Sequence, residues 1–235
     1  MLKLIKLEWK KNNIGKYIRN AVILEGILCV FMLALVYLGI ANDPDTGVPD
    51  AAPGNGTISS PIELFTSMSF LVFTCVMLSS FIVSAYKDKT MALMFSYPVK
   101  RQKIMISQML SVWIFCFVAL VLTKLLLYGS ILLGSRFMLS SFPIDYNMAS
   151  LGFYVQLIVK SISIVTMSFI ALFIGLAMKS SKATIISSFL LIILTQANIG
   201  DLTMANNVIF PLILTIISLI FAFLSVVGVE KKDLM

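Results

Sequence analysis

Hydrophobic residues form six long runs along this chain, separated by polar or charged segments. The runs cover residues 21–41, 62–86, 104–134, 148–178, 183–199 and 208–229. A helix rises about 1.5 Å per residue, so roughly 20 apolar residues cross the roughly 30 Å hydrocarbon core of a bilayer. The pattern predicts an all-α, polytopic membrane protein in which residues 20–235 form one domain of six transmembrane helices.

Basic residues cluster on one side of this predicted arrangement. If the N-terminus is cytoplasmic, the predicted outer segments contain just one of the 18 Lys and Arg residues, Arg136. The inner segments hold Lys3, Lys6, Lys10, Lys11, Lys16, Arg19, Lys87, Lys89, Lys100, Arg101, Lys103, Lys179, Lys182, Lys231 and Lys232. Because cationic loops resist crossing the membrane, both termini are predicted to be cytoplasmic.

The composition narrows the classes of function. The chain is 59% hydrophobic and 12% charged, whereas ordinary soluble domains carry about 25% charged residues. Its net charge of +7 is spread over inner segments, where anionic lipid headgroups attract basic residues, so a nucleic-acid partner is not expected. The chain has no histidine, and its three cysteines lie in predicted spans without CxxC spacing, which argues against a metal site.

Residues 1–19 are predicted to form an amphipathic helix at the inner membrane interface. Two stripes at helical spacing support this interpretation, a basic one and an apolar one. The basic stripe is Lys3, Lys6 and Lys10, and the apolar stripe is Leu2, Ile5 and Trp9. The alternative is that these lysines act merely as a basic topology signal.

The inner segment between the second and third runs is predicted to contain a short helix. Thr90 is a suitable N-cap, Met91, Met94 and Phe95 follow at helical spacing, and Pro98 ends the helix. An apolar helix face on a cytoplasmic segment is expected to be shielded from water by another surface. The membrane surface and a soluble partner are both compatible with the pattern.

Four charged residues lie within or beside the apolar runs. Glu63, Lys124 and Lys160 are predicted near one plane at the outer helix ends, where each lysine either extends to the headgroups or pairs with Glu63. The third and fourth helices are expected to be long, tilted or broken near these ends. Glu25 lies close to the inner boundary, either paired with a nearby basic residue or as a functional acid.

The segment around the predicted short helix resembles a known family of membrane proteins. Residues 87–110 read KDKTMALMFSYPVKRQKIMISQML. This segment contains, in order, an acidic residue, a predicted short helix, an apolar-x-Pro turn and basic residues with a Lys-Ile pair at the start of the next predicted helix. Residues 4–12, LIKLEWKKN, add to the likeness. In both segments the chain is similar to the permease subunits of type 2 ATP-binding-cassette exporters.

This resemblance implies a coupling helix at 90–97 that docks on a cytoplasmic ATPase. The coupling residues would be Asp88, Thr90, Met91, Met94, Phe95, Tyr97, Pro98 and Arg101. A transport pathway would be lined by Phe70, Phe73, Met77, Thr195 and Gln196. ATP and Mg²⁺ would be bound by the partner ATPase, because this chain has no GxxxxGK[ST] phosphate loop. A second permease, either an identical copy or a paralogue, would complete the assembly in a bacterial cell membrane.

The function implied is export of amphipathic peptides, such as phenol-soluble modulins or bacteriocins, or of similar hydrophobic substrates. Packing between helices is an alternative role for the hydroxyl and amide groups in the second and fifth runs. A non-transporting immunity or scaffold protein that binds a peptide or signalling partner is the alternative function. An intramembrane enzyme is disfavoured, because the chain lacks histidine, a Gly-x-Ser-x-Gly pattern and paired acids in one span.

Overall fold

The structure is a computed structural model that describes residues 2–37, 59–87, 101–137, 148–196 and 209–232. These residues are helical apart from short turns and include no β-strand, which confirms the all-α prediction for them. The helices are α1 (Leu2–Lys11), α2 (Ile14–Tyr37), α3 (Ser59–Leu78), α4 (Ser84–Lys87), α5 (Arg101–Phe137), α6 (Leu151–Ala177), α7 (Ser181–Gln196) and α8 (Ile209–Lys232). A π-helical segment, Ser79–Val83, joins α3 to α4 without a break.

Four of the described helical stretches are long and apolar enough to cross a membrane. They are Ile14–Leu35, Ser59–Val83, Gln102–Gly134 and Leu151–Ala177. The stretches Ser181–Thr195 in α7 and Pro211–Val227 in α8 are apolar but shorter. The described part of each of the six hydrophobic runs is almost entirely helical, as expected for apolar segments, because a helix satisfies its backbone hydrogen bonds internally.

The chain turns sharply between α1 and α2. Asn13 has a positive φ of 49°, a backbone conformation that asparagine tolerates better than most residues. The helix predicted through residue 19 therefore ends at Lys11, and α2 starts at Ile14, ahead of the apolar run.

Helix α6 ends in a Schellman motif that leads directly into α7. Lys179 has a φ of 49°, and the Ser180 N–H donates to the Gly175 carbonyl at 3.1 Å. The Lys179 N–H donates to the Leu176 carbonyl at 3.4 Å, which completes the motif. Because this turn is short, α6 and α7 pack against each other as an antiparallel pair.

The π-helical segment is a departure from the regular helix that the sequence predicts. Residues 79–83 contain neither proline nor glycine, so the pattern gives no sign of an irregularity. The extra residue in the turn shifts the register of the side chains that follow, and Phe81, Ile82 and Val83 are all buried. On the same segment, Ser79 Oγ donates to the Ser181 carbonyl at 3.1 Å.

Helix α5 is the longest described element and runs without interruption over 37 residues. At about 1.5 Å per residue it is about 55 Å long, well beyond the hydrocarbon thickness. The third helix is expected to be long, tilted or broken near its outer end, and the described residues show a long helix. Helix α6, with 27 residues, starts at Leu151 after the N-cap Ser150, whose Oγ accepts from the Phe153 N–H.

Helix α6 lies at the centre of the described bundle. It packs against α3, α5, α7 and α8, and its middle residues are almost all buried. By contrast, α2 contacts α5 and, to a small extent, α3. Only 17% of the apolar window of α2 is buried, against 67% for the α3 window. The surface of α2 that includes Val22, Ile27 and Val30 is exposed.

Gly175 permits the close approach of α6 and α7. A Cβ atom at this position would overlap Thr184 Oγ1 and lie 3.0 Å from Thr184 Cβ. We expect Gly175→Ala to lower the free energy of unfolding by about 1–3 kcal/mol, a typical cost of overpacking. Thermal unfolding in detergent measures this effect.

The second variant in that experiment is Gly175→Ala with Thr184→Ala, which removes the overlapping hydroxyl and should restore part of the lost stability. Gly152→Ala is the matched control on α6, because a Cβ there meets no atom within 4 Å. Equal unfolding midpoints for Gly175→Ala and Gly152→Ala would contradict the close packing.

Candidate functional site

The predicted coupling residues lie between α4 and α5. Asp88, Thr90, Met91, Met94, Phe95, Tyr97 and Pro98 fall outside the described residues. Arg101 is the first residue of α5, and its side chain is also outside the description. In the sequence, the segment connects the end of α4 at Lys87 to the start of α5 at Arg101.

Helix α1 packs against the first turns of α5. Ile5 is 4% exposed, and the Trp9 Nε1–H donates to the Ser111 carbonyl at 3.3 Å. Lys6 and Lys10 are exposed on the other side of α1, and the side chain of Lys3 is outside the description. Among the described residues of the two stripes, Ile5 and Trp9 therefore lie on the α5 side of α1, and Lys6 and Lys10 face away from α5.

A buried polar contact accompanies this packing. Gln108 is fully buried on α5, and its Nε2 donates to Glu8 Oε1 at 3.4 Å. Glu8 also accepts from Asn12 Nδ2 at 3.4 Å. Within the described part of the chain, Gln108 Oε1 and the hydroxyls of Ser107 and Ser111 have no hydrogen-bond partner.

The sequence reasoning missed Glu8 and Gln108. Glu8 lies three residues after Ile5 and one before Trp9, so it shares the apolar face of α1. A carboxylate on such a face needs a polar partner. The spacing could have identified Glu8 as unusual, but nothing in the sequence pairs it with Gln108, 100 residues away.

A second contact at the same end of the bundle joins α2 to the π-helical segment. The hydroxyls of Tyr17 and Ser80 are 2.7 Å apart, and the rings of Tyr17 and Phe81 meet edge to face at 5.2 Å. We call the end of the bundle that holds these contacts and the α1–α5 packing the α1 end. The described chain leaves α4 at Lys87 and resumes in α5 at Arg101, and the predicted coupling segment lies between these two residues in the sequence.

Glu63 and Lys124 form a buried ion pair toward the opposite end of the bundle. Lys124 Nζ lies 2.5 Å from Glu63 Oε2, with the lysine 0% and the glutamate 19% exposed. The Tyr128 hydroxyl donates to Glu63 Oε1 at 3.4 Å. Lys124 is thus enclosed between α3 and α5 and does not extend to the surface. Lys160 on α6 is half-buried and close enough for its charge to repel that of Lys124.

Two of the pathway candidates lie in the packed core. Phe70 and Met77 are 0% and 1% exposed, and Met77 Sδ lies 3.6 Å from Cys116 Sγ on α5. Phe73 is half-buried and contacts Phe70 ring to ring at 6.0 Å. Thr195 is buried and bonds to its own helix, while the Gln196 side chain is outside the description. The structure does not bring the described members of this set together around an open pathway.

Six hydroxyls of the second and fifth runs donate to backbone carbonyls of their own helix. The donors are Thr66, Ser67, Thr74, Ser187, Ser188 and Thr195. Such bonds satisfy a polar group in apolar surroundings without a partner helix. Glu25 is half-buried on the weakly packed α2.

Breaking the Glu63–Lys124 pair should be costly and asymmetric. Glu63→Gln leaves a fully buried lysine without its counter-ion, so we expect a loss of about 3–5 kcal/mol in unfolding free energy. Lys124→Met should cost less, because Glu63 is partly exposed and keeps the Tyr128 hydrogen bond. Thermal unfolding in detergent distinguishes the two variants.

Charge reversal tests which lysine is the partner of Glu63. Lys124→Glu should rescue Glu63→Lys, whereas Lys160→Glu should rescue it less. Equal rescue by the two lysine variants, or none by either, would contradict the specific pair.

The Glu8–Gln108 contact should hold α1 on α5. Ile5→Cys introduces a thiol at a buried position, so a maleimide should label it slowly. Gln108→Leu removes the donor to Glu8 and should increase that labelling. Leu7→Cys is the matched control, because Leu7 is 62% exposed and should react rapidly with or without Gln108→Leu. Labelling of Ile5→Cys as fast as that of Leu7→Cys in the parent would contradict the packing.

Comparison with known proteins shows that the chain is similar to a bacterial protein. No family model matches it, and no solved structure matches it. The chain is similar to the uncharacterized protein YcbO of Bacillus subtilis (strain 168), with 27% identity over 233 residues. The alignment covers 99% of this chain and 100% of that protein, so the likeness extends over nearly the whole length of both.

Proposed function

We propose that this chain is the transmembrane permease subunit of an ATP-driven exporter. In this proposal, partner ATPase subunits bind ATP and Mg²⁺ in the cytoplasm and act on residues 90–97. Alternating access then moves amphipathic peptides or similar hydrophobic substrates out of the cell. The peptide class comes from the resemblance, and a chain with 17 Phe and 14 Met would offer adaptable apolar contacts to such a substrate.

The packing at the α1 end is the observation that carries the proposal. The segment that resembles a coupling helix leads directly into α5, and the first turns of α5 are held by α1 through Ile5, Trp9 and the Glu8–Gln108 contact. A force applied to residues 90–97 would therefore reach α5 and α1 together. On the other side of the segment, α4 continues the π-helical segment that contacts Tyr17 on α2.

Six membrane spans with both termini in the cytoplasm belong to the same proposal. Helix α8 has 24 residues and would measure about 36 Å, enough to cross the hydrocarbon. The described part of α7 has 16 residues, about 24 Å in length, and the fifth hydrophobic run continues to residue 199. With six spans, the α1 end faces the cytoplasm, in keeping with the basic residues there.

A second permease copy is the proposed partner within the membrane. The weakly packed α2 exposes Val22, Ile27 and Val30, and α7 exposes Ile186 and Ile193. These apolar surfaces are compatible with lipid and with a second copy. In an exporter that encloses its pathway between two permeases, part of this surface would be covered by the other permease. The similarity to a Bacillus subtilis protein supports a bacterial cell membrane as the location.

The test is association with an ATP-binding-cassette ATPase. The first step is to search the adjacent reading frames for a phosphate loop, and co-purification of that ATPase with this chain is then measured. Met94→Asp with Phe95→Asp places two charges on the apolar face of the predicted coupling helix. We expect co-purification of the ATPase to fall by at least about tenfold, because a desolvated carboxylate without a partner costs more than the roughly 1.4 kcal/mol that a factor of ten represents.

Met178→Asp is the matched control, since Met178 is 66% exposed at the α6–α7 turn on the same end of the bundle. This variant should retain the ATPase, and all variants should insert into the membrane normally. Unchanged association of the Met94→Asp, Phe95→Asp variant would overturn the coupling assignment. Activity that persists with an ATPase-dead partner would favour the immunity or scaffold function instead.

A further inference from the structure

An apolar groove opens between α5, α6 and α8. Its volume is about 680 Å³, within the range of about 300–1,000 Å³ that small-molecule sites occupy. The lining is almost entirely hydrophobic and includes Ile106 and Trp113 from α5, Phe169 from α6, and Leu219 and Phe223 from α8. None of the predicted coupling or pathway residues that the structure describes lines this groove.

The groove has the length of one lipid leaflet. Along α5 it extends from Gln102 to Trp113, a distance of about 16 Å at about 1.5 Å per residue. Half of a hydrocarbon core of roughly 30 Å is about 15 Å. With the α1 end at the inner membrane surface, as in the proposed six-span topology, the groove reaches about the middle of the bilayer.

The two ends of the groove differ in polarity. At the surface end lie Gln102 and, one residue on, the exposed Lys103. Val227 lines the same end, and α8 continues from there through Lys231 and Lys232. In the sequence, Arg101, Lys103, Lys231 and Lys232 lie at this end against two acids, Glu230 and Asp233. The net charge at the surface end is therefore positive, while the deep end is apolar.

We propose that this groove binds an acyl chain of an anionic phospholipid, whose headgroup lies at the surface end beside Lys103. A long apolar groove with a cationic mouth matches an amphiphile with one negative head and an extended tail. Basic pockets between membrane helices are known to favour anionic headgroups. Binding would occupy the space between α5 and α8, so the lipid would support the packing of α8 on the rest of the bundle. The inference depends on the membrane setting but not on an ATPase partner.

Trp113 provides a direct reporter of the occupant. The chain has two tryptophans, so Trp9→Phe leaves Trp113 as the single indole fluorophore. The purified variant is placed in phosphatidylcholine vesicles. In one series the vesicles contain increasing fractions of brominated phosphatidylglycerol, and in the other they contain increasing fractions of brominated phosphatidylcholine, with the bromine on the acyl chain in both lipids. We expect brominated phosphatidylglycerol to reach half-maximal quenching of Trp113 at a lower fraction than brominated phosphatidylcholine does. The expected difference is about fivefold for each basic residue that contacts the headgroup.

Two variants on this background localise the effect. Lys103→Gln should reduce the preference for phosphatidylglycerol by about fivefold. Ala222→Phe fills the groove from α8 and should weaken quenching by both brominated lipids. Circular dichroism and size exclusion verify that each variant is folded.

A reference position separates groove binding from ordinary contact with lipid. Trp113→Phe combined with Val118→Trp moves the fluorophore to an α5 position that is 50% exposed, and both brominated lipids should quench it equally. Equal quenching of Trp113 by the two lipids would overturn the proposal and assign the groove to unselective lipid. Absence of quenching by either would also overturn it, because protein, such as a second copy, would then cover the groove. Neither outcome depends on ATPase association, so the two proposals fail separately.

Discussion

Each backbone N–H and C=O in an apolar environment must find its partner within the protein, and this requirement governs the whole molecule. It explains why the described residues are helical and why irregular backbone among them is confined to a few short segments. At the α6–α7 turn, the carbonyls of Gly175 and Leu176 accept from the residues of the turn itself. The buried hydroxyls follow the same rule, since most of them bond to carbonyls of their own helix.

Given this rule, the exceptions identify where helices depend on one another. Ser79 and Ser80 on the π-helical segment make contacts to α7 and α2, rather than to their own helix. Glu8 and Gln108 join α1 to α5, and Glu63 and Lys124 join α3 to α5. Helix α5 takes part in two of these contacts, at points well separated along its length. A displacement of the first residue of α5 would therefore be resisted by these two contacts or transmitted through them to α1 and α3.

Burial is distributed unevenly over the bundle, and this has consequences for partners. Helix α6 is enclosed by described helices over most of its length, whereas α2 and much of α8 expose apolar surface. An exposed apolar helix face is stable in lipid, where it would not be in water. The groove beside α8 adds a positively charged mouth to such a surface, so its shape and charge together indicate a particular class of lipid.

For the described membrane-type helices, the sequence by itself determined which segments are helical and their approximate limits, because runs of apolar residues are a local property. It also identified the two faces of α1 and placed Glu63 and Lys124 near a common plane. It did not determine the break at Asn13 within the helix predicted over residues 1–19. Only the tertiary structure decided which groups meet, since Glu63 and Lys124 are 61 residues apart, and Glu8 and Gln108 are 100 apart. The π-helical segment and the groove have the same origin, for they arise from how neighbouring helices pack, and no single segment encodes that packing.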